Sequence, residues 1–203
     1  MIGIIDYDIG NIRSVTNALS YLEIEYQTSD NPQDLEKFEK IILIGVGAFP
    51  KAMTNLKNRG FDDFIIKHIK NNGYILGICI GMQLFMEKGY EIQETQGLSL
   101  IKGSVKKMEY SPHFKLPHIG WNSIHIEKDK SIDILKDVEN LSNFYFVNSY
   151  SVNILEDIPI TTTKYGPNVI ISSFQKGKIY GVQFHPEKSQ NNGMKILENY
   201  SNL

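Results

Sequence analysis

Residues 77–81 read GICIG, with the only cysteine of the chain, Cys79, at the centre and a glycine two positions to either side. The run before it, YILGI (74–78), is apolar and of strand type, and the residues after it read as helix. A strand that turns at once into a helix brings the backbone two residues before and two after the apex together. A side chain at either place would clash, which explains the glycines. GICIG is therefore the sulfur form of the G-x-S-x-G elbow. Such an elbow needs a sheet whose strands alternate with helices, and it stands at the carboxyl edge of that sheet, where open α/β folds place ligands.

The rest of the first ninety residues agrees. IGIID (2–6), IEYQT (24–28) and KIILIG (40–45) read as strands. Between them, Ile12, Val15, Leu19 and Leu22 fall on one helical face, and Asn31-Pro32 opens a short helix. Helical segments follow the glycine turn after 45 and run through Asn72, with Gly73 closing the last. This alternation predicts a mostly parallel sheet with helices on both faces. The second half is a series of strand-like pieces: SLIKGSVKKM, NSIHIE, FYFVNSYSV, TTTKYG and VIISSFQKGKIYGVQF, the last turning as a hairpin at 176–178. A helix is expected over 193–200. No linker or repeat interrupts the chain, so residues 1–203 are expected to form one domain, with an antiparallel extension on a parallel core.

A net charge of −2 argues against nucleic acid or an anionic membrane as the main partner. One cysteine cannot form an internal disulfide, MIGIIDYD lacks a signal-peptide layout, and no apolar run approaches the ~20 residues of a membrane helix. The expectation is a cytoplasmic protein. The histidines are dispersed without ligand spacing, so neither a metal nor another cofactor is expected.

A lone cysteine is commonly a small buried hydrophobe. The glycine frame argues instead for a nucleophile, and the helix starting near Ile80 would aim its free N–H groups and positive dipole end at the sulfur, favouring thiolate. Of the five histidines, His68 lies between lysines and is expected to be solvated, His113 is near a turn, His125 is in a strand, and His118 reads as structural. His185 stands at a strand end in GVQFHPEKS. Pro186 biases it toward an extended conformation, which projects His185 and Glu187 to one side as a base with its orienting acid. The Ile80 N–H is one natural oxyanion donor. A second is expected from IGVGAF, at Val46 or Gly47, where Gly45 and Gly47 would let backbone approach a ligand.

Together, GICIGMQLF and VQFHPEKS resemble the nucleophile and histidine–glutamate motifs of class I glutamine amidotransferases. YDIGNIRSV, GVGAF, PHIGWN, FYFVNSY and FHPEKSQ further resemble the glutaminase subunit of imidazole glycerol phosphate synthase, so the likeness spans the whole chain. The resemblance implies a flavodoxin-like amidotransferase fold. It also implies attack of Cys79 on the side-chain amide of glutamine, a thioester, ammonia protonated through His185, and hydrolysis by water that His185 activates while Glu187 orients it. It assigns Gly47, Gln83 and Glu91 to glutamine binding. It places Asn11, Tyr145 and Lys188 at the contact with a (β/α)8-barrel synthase that turns ammonia and a ribulosyl intermediate into imidazole glycerol phosphate and an aminoimidazole carboxamide ribotide, in histidine biosynthesis.

The chain departs from that pattern at Asp8-Ile9, at Ile44 and at Asn148, where the family has a histidine. Three other readings share the elbow: a glutaminase feeding surface-sugar amination, a cysteine hydrolase without an ammonia partner, and a binding module with an inert thiol.

Overall fold

The computed structural model describes residues 1–127 and 131–203. In chain order, β1 (Ile2–Ile5), α1 (Ile12–Tyr21), β2 (Tyr26–Ser29), α2 (Pro32–Leu35), β3 (Lys40–Gly45), α3 (Phe49–Asn58), α4 (Phe61–Lys70) and β4 (Tyr74–Cys79) alternate as expected. They are followed by α5 (Ile80–Leu84), β5 (Met86–Gly89), β6 (Thr95–Gln96), β7 (Ile101–Lys107), β8 (His118–Ser123) and β9 (His125–Ile126). Then come β10 (Asn143–Asn148), β11 (Tyr150–Ile154), β12 (Ile160–Tyr165), β13 (Asn168–Lys176), β14 (Ile179–Val182) and α6 (Gln190–Ser201).

An eight-stranded sheet runs in the order β2-β1-β3-β4-β14-β13-β12-β9. The first five strands are parallel, and from β14 outward the pairing is antiparallel. Two small sheets, β10-β8 and β11-β7-β5-β6, complete the fold. The apolar strands read as unbroken runs because both faces are covered. Ile41, Leu43 and Ile75 enter one core with Phe49, Phe61 and Phe64. Ile42, Ile44, Leu76 and Ile78 enter the other with Val15, Leu19, Ile196 and Tyr200. The period of two along each strand sorts the side chains between these layers.

Several expectations shift. β2 starts at Tyr26, because Glu23, with φ 56°, still belongs to the turn after α1. The left-handed residue closing α4 is Asn72, with φ 65°, and not Gly73. Gly73 is small for another reason: a Cβ there would lie 2.2 Å from His68 Nε2. His68, expected in solvent, is buried at 9% exposure, stacks on Phe64 and hydrogen-bonds the Tyr74 carbonyl at 3.0 Å. Gly45 packs under the Tyr7 hydroxyl, 2.3 Å from where its Cβ would be, and makes no opening for a ligand. FYFVNSYSV divides at Ser149 between β10 and β11, which belong to different sheets. Among the described residues, no helix is long and apolar enough to cross a membrane.

Candidate active site

Three adjacent strands build the site. β4 ends at Cys79, β3 ends at Gly45 in register with it, and β14 pairs on the other side with Val182 opposite Ile78. The chain after β3 and the chain after β14 therefore leave the sheet on either flank of the cysteine. Cys79 adopts φ 54°, ψ −110°, a conformation that L-residues rarely hold and that the elbow imposes. Gly77 acts as the motif predicts, against the far side of the elbow, whereas Gly81 is kept small by the neighbouring strand β3. A Cβ on Gly77 would lie 2.7 Å from the carbonyl carbon of Gly81, and one on Gly81 would lie 1.8 Å from the Leu43 carbonyl oxygen. The following helix has only five residues before the chain enters β5, so its dipole is short.

Past β14, Pro186–Lys188 curl into a 3-10 turn, in place of the extended segment expected. The turn still brings His185 Nδ1 within 2.7 Å of Glu187 Oε1, and both side chains are fully buried. His185 is anchored through its backbone: its N–H donates to the Tyr145 carbonyl at 2.9 Å, and its carbonyl accepts from the Ser189 hydroxyl at 2.6 Å. The Nδ1–H donates to the carboxylate, and among the described residues Nε2 has no hydrogen-bond partner. Burial alone would lower the basicity of this imidazole. Cys79 and Glu187 outweigh it and raise His185 to about 10. Tyr7, also buried, has its phenol held well above the ordinary range by burial and by the charge of Cys79.

Beside the thiol opens a cleft of about 500 Å³. Val46, Gly47, Cys79, Ile80, Gln83, Glu91 and Lys188 line it, so the residues singled out for the oxyanion and for substrate meet in one place. Gly47 has φ 119° and open space where a side chain would be, as a backbone-only wall requires. Glu91 gives one carboxylate oxygen to the Phe49 N–H at 2.7 Å, capping α3, which has no side-chain cap of its own. Gln83 is buried and donates to the Tyr150 carbonyl at 3.1 Å and to Gln183 Oε1 at 2.9 Å.

Asn11 caps α1 by accepting the Ser14 N–H, and α1 packs against the Pro186–Lys188 turn. Lys188 Nζ lies 5.9 Å from the ring centroid of Tyr145, which meets exposed Trp121 edge-on at 6.0 Å. Asn11, Tyr145 and Lys188 thus share the carboxyl end of the sheet with the cleft.

Residues 3–201 match the class-I glutamine amidotransferase family. The chain belongs to that family. It is 42% identical over its full length, and over the full length of the relative, to imidazole glycerol phosphate synthase subunit HisH 1 of Campylobacter jejuni strain 81-176. It is 44% identical to subunit HisH of Caldanaerobacter subterraneus subsp. tengcongensis, covering 100% of this chain and 98% of that one. Among solved structures, a glutamine amidotransferase superposes with a TM-score of 0.75 at 16% identity, over 98% of both chains. Another, from Thermotoga maritima, gives 0.64 at 17% identity over 99% and 82%. At such identities the likeness concerns the fold, and it fits a mostly parallel sheet with antiparallel additions.

Two residues of the site escaped the reading of the sequence. Gln183 lies two positions before His185, so strand alternation alone could have placed both on one side. Asn148, noted only as a departure from a pattern, is buried in the cleft wall and donates to the Tyr150 carbonyl at 3.0 Å.

Proposed function

We propose that the chain is the glutaminase subunit of an imidazole glycerol phosphate synthase, working in the cytoplasm. Cys79 sulfur attacks the side-chain amide carbon of glutamine bound in the cleft against Gly47, Gln83 and Glu91. The tetrahedral oxyanion is received by the Ile80 N–H and by backbone N–H from Val46 or Gly47. His185, as imidazolium, gives its Nε2 proton to the departing nitrogen, and ammonia leaves a thioester. Neutral His185 then takes a proton from water, which attacks the thioester, and glutamate departs with the thiolate restored. Glu187 holds the imidazole in the tautomer this needs. Ammonia passes to a (β/α)8-barrel cyclase docked over Asn11, Tyr145 and Lys188, where it completes imidazole glycerol phosphate and the aminoimidazole carboxamide ribotide.

The observation that carries this reading is Cys79 in a left-handed elbow, with a carboxylate-held histidine leaving the neighbouring strand at 2.7 Å from its carboxylate. The test is glutamate release from glutamine by the chain alone and with the barrel synthase loaded with a ribulosyl substrate analogue. Strong stimulation by the loaded synthase is expected. Turnover that the synthase leaves unchanged would assign the ammonia to another acceptor, and absence of turnover in both arms would overturn the glutaminase itself.

A further inference from the structure

Beside the nucleophile, the Tyr150 carbonyl and two side-chain amides form a line that starts in the cleft wall and ends on the sulfur. Gln83 Nε2 donates to the Tyr150 carbonyl at 3.1 Å and to Gln183 Oε1 at 2.9 Å. Gln183 Nε2 in turn lies 3.7 Å from Cys79 Sγ as a donor. Gln83 is 2% exposed and Gln183 is fully buried, so water does not compete for these bonds.

The direction of the line follows from its far end. A backbone carbonyl only accepts, so the group of Gln83 that meets Tyr150 must be the amide nitrogen. That nitrogen carries two hydrogens, and the second points at Gln183. Gln183 must answer with its oxygen, which turns its own nitrogen toward the thiol. Reversing Gln83 would set oxygen against oxygen, and reversing Gln183 would set nitrogen against nitrogen, each in a buried place. The Tyr150 carbonyl therefore fixes which face of Gln183 the sulfur sees. Gln183 is fully buried behind the cleft lining, with its amide nitrogen on the sulfur.

We propose that Gln183 is a positioning residue for the nucleophile, donating a hydrogen bond that steadies the Cys79 thiolate, and that Tyr150 and Gln83 exist in the site partly to hold that donor in place. The proposal rests on Cys79 being the nucleophile. A donor to an anion gains strength as the charge develops, so the bond favours the deprotonated sulfur over the thiol. It acts beside the other groups that bear on Cys79: His185 with Glu187, and the phenol of Tyr7, while Glu91 and Lys188 stand across the cleft.

The experiment is the rate of Cys79 alkylation by iodoacetamide as a function of pH, in the full chain, for wild type, Gln183→Met, Gln183→Glu, Gln83→Leu and the double variant Gln83→Leu/Gln183→Met. Gln183→Met removes the donor at nearly constant volume. Its alkylation midpoint is expected about one pH unit higher, which is ~10-fold in thiolate below the midpoint. Gln183→Glu keeps an acceptor for Gln83, protecting the fold, and puts an acceptor on the sulfur, so its midpoint rises further. Gln83→Leu frees Gln183 to turn and raises the midpoint although the donor is still present. The double variant matches Gln183→Met alone, because both changes break one line. Glutamine turnover by Gln183→Met falls in kcat with KM unchanged.

A midpoint in Gln183→Met within a few tenths of wild type overturns the proposal, and so does strict additivity in the double variant. Alkylation needs no glutamine, so the expected shifts in a chain that releases no glutamate would support the donor and sink the glutaminase reading. A wild-type Cys79 left unmodified at every pH would sink both.

Discussion

The two ends of the parallel strands each carry a cleft and a buried histidine, and the two histidines behave oppositely. At the amino end, His68 looks into a space of about 430 Å³ beside Lys37, Lys67 and Lys178, with the carboxylates of Glu36 and Glu39 nearby. Burial pulls its basicity down, and backbone carbonyls, chiefly that of Tyr74, only partly restore it. At the carboxyl end, His185 is buried more completely and is nevertheless raised, because Cys79 and the Glu187 carboxylate are next to it. The size of a cleft does not separate the two ends. What separates them is where the chain is forced to turn. A strand entering the sheet at the amino end needs only a helix stop before it. Strands leaving at the carboxyl end fan into an elbow, a glycine turn and a 3-10 turn that bring Cys79, Gly47 and Lys188 to one cleft.

Breaking the carboxyl end should have the largest effect. Cys79→Ala is expected to remove glutamate release by about a millionfold while leaving the circular dichroism spectrum unchanged. Activity within a hundredfold of wild type would place the chemistry elsewhere.

Glu187→Gln is expected to lose about 10⁴-fold in kcat, since it leaves geometry but not tautomer control. It also carries a pH signature. The folded value of His185 lies near 10 against an ordinary 6.5, so the stability held in its charged form is complete below 6.5 and is lost as pH rises toward 10. Removing the carboxylate should bring the alkaline limit of turnover to lower pH. An unmoved limit would mean that Glu187 does not govern the imidazole.

A pair of glycine substitutions compares the two ends directly. At Gly81 the obstacle to a methyl group is the Leu43 backbone carbonyl, 1.8 Å away, inside the sheet. At Gly73 it is the His68 ring, a side chain able to swing aside. Gly81→Ala is expected to destabilise by roughly 3 kcal/mol. Gly73→Ala should lose only the His68–Tyr74 hydrogen bond, about 1 kcal/mol. Urea unfolding of the two variants checks the ranking, and a reversed order would contradict it.

The smallest effect belongs to His68 itself. Its folded value is lowered below 6.5, so its neutral form contributes stability above that pH and loses it progressively as pH falls below. His68→Leu should flatten the acid side of the stability–pH curve and leave glutamine turnover unchanged. A loss of turnover would tie the amino end to the reaction.

The carboxyl end was the more readable of the two because its signals are local. Gly77 of GICIG reports a clash across four residues, and HPE reports a contact across two. Their meeting was legible only through the fold class, since nothing in the sequence states that β14 lies beside β4. His68 was misread because its lysine neighbours in sequence were weighed above its helical face. Phe61, Phe64, Ile65 and His68 follow one stripe of α4 and are all buried. Gly45 was misread for the opposite reason: glycine in a turn suggests room for a ligand, but here the room is taken by Tyr7, which lies far from it in sequence. The Gln83–Gln183 contact could not be read at all, because it joins helix α5 to the chain just after β14, 100 residues away.

The position of β14 has a consequence for how the reactive centre comes into being. It is the last strand made, yet it sits in the interior of the large sheet, between β4 and β13. A ribosome delivers Cys79 well before the 104 further residues that bring Gln183, and then His185. Until β14 is made, the β4 edge that it pairs in the finished sheet has no partner, and Cys79 stands at the end of that strand without His185. The pairing of β14 with β4 is therefore what carries Gln183 and His185 to Cys79, so that closing the sheet and gathering these three side chains are one and the same contact.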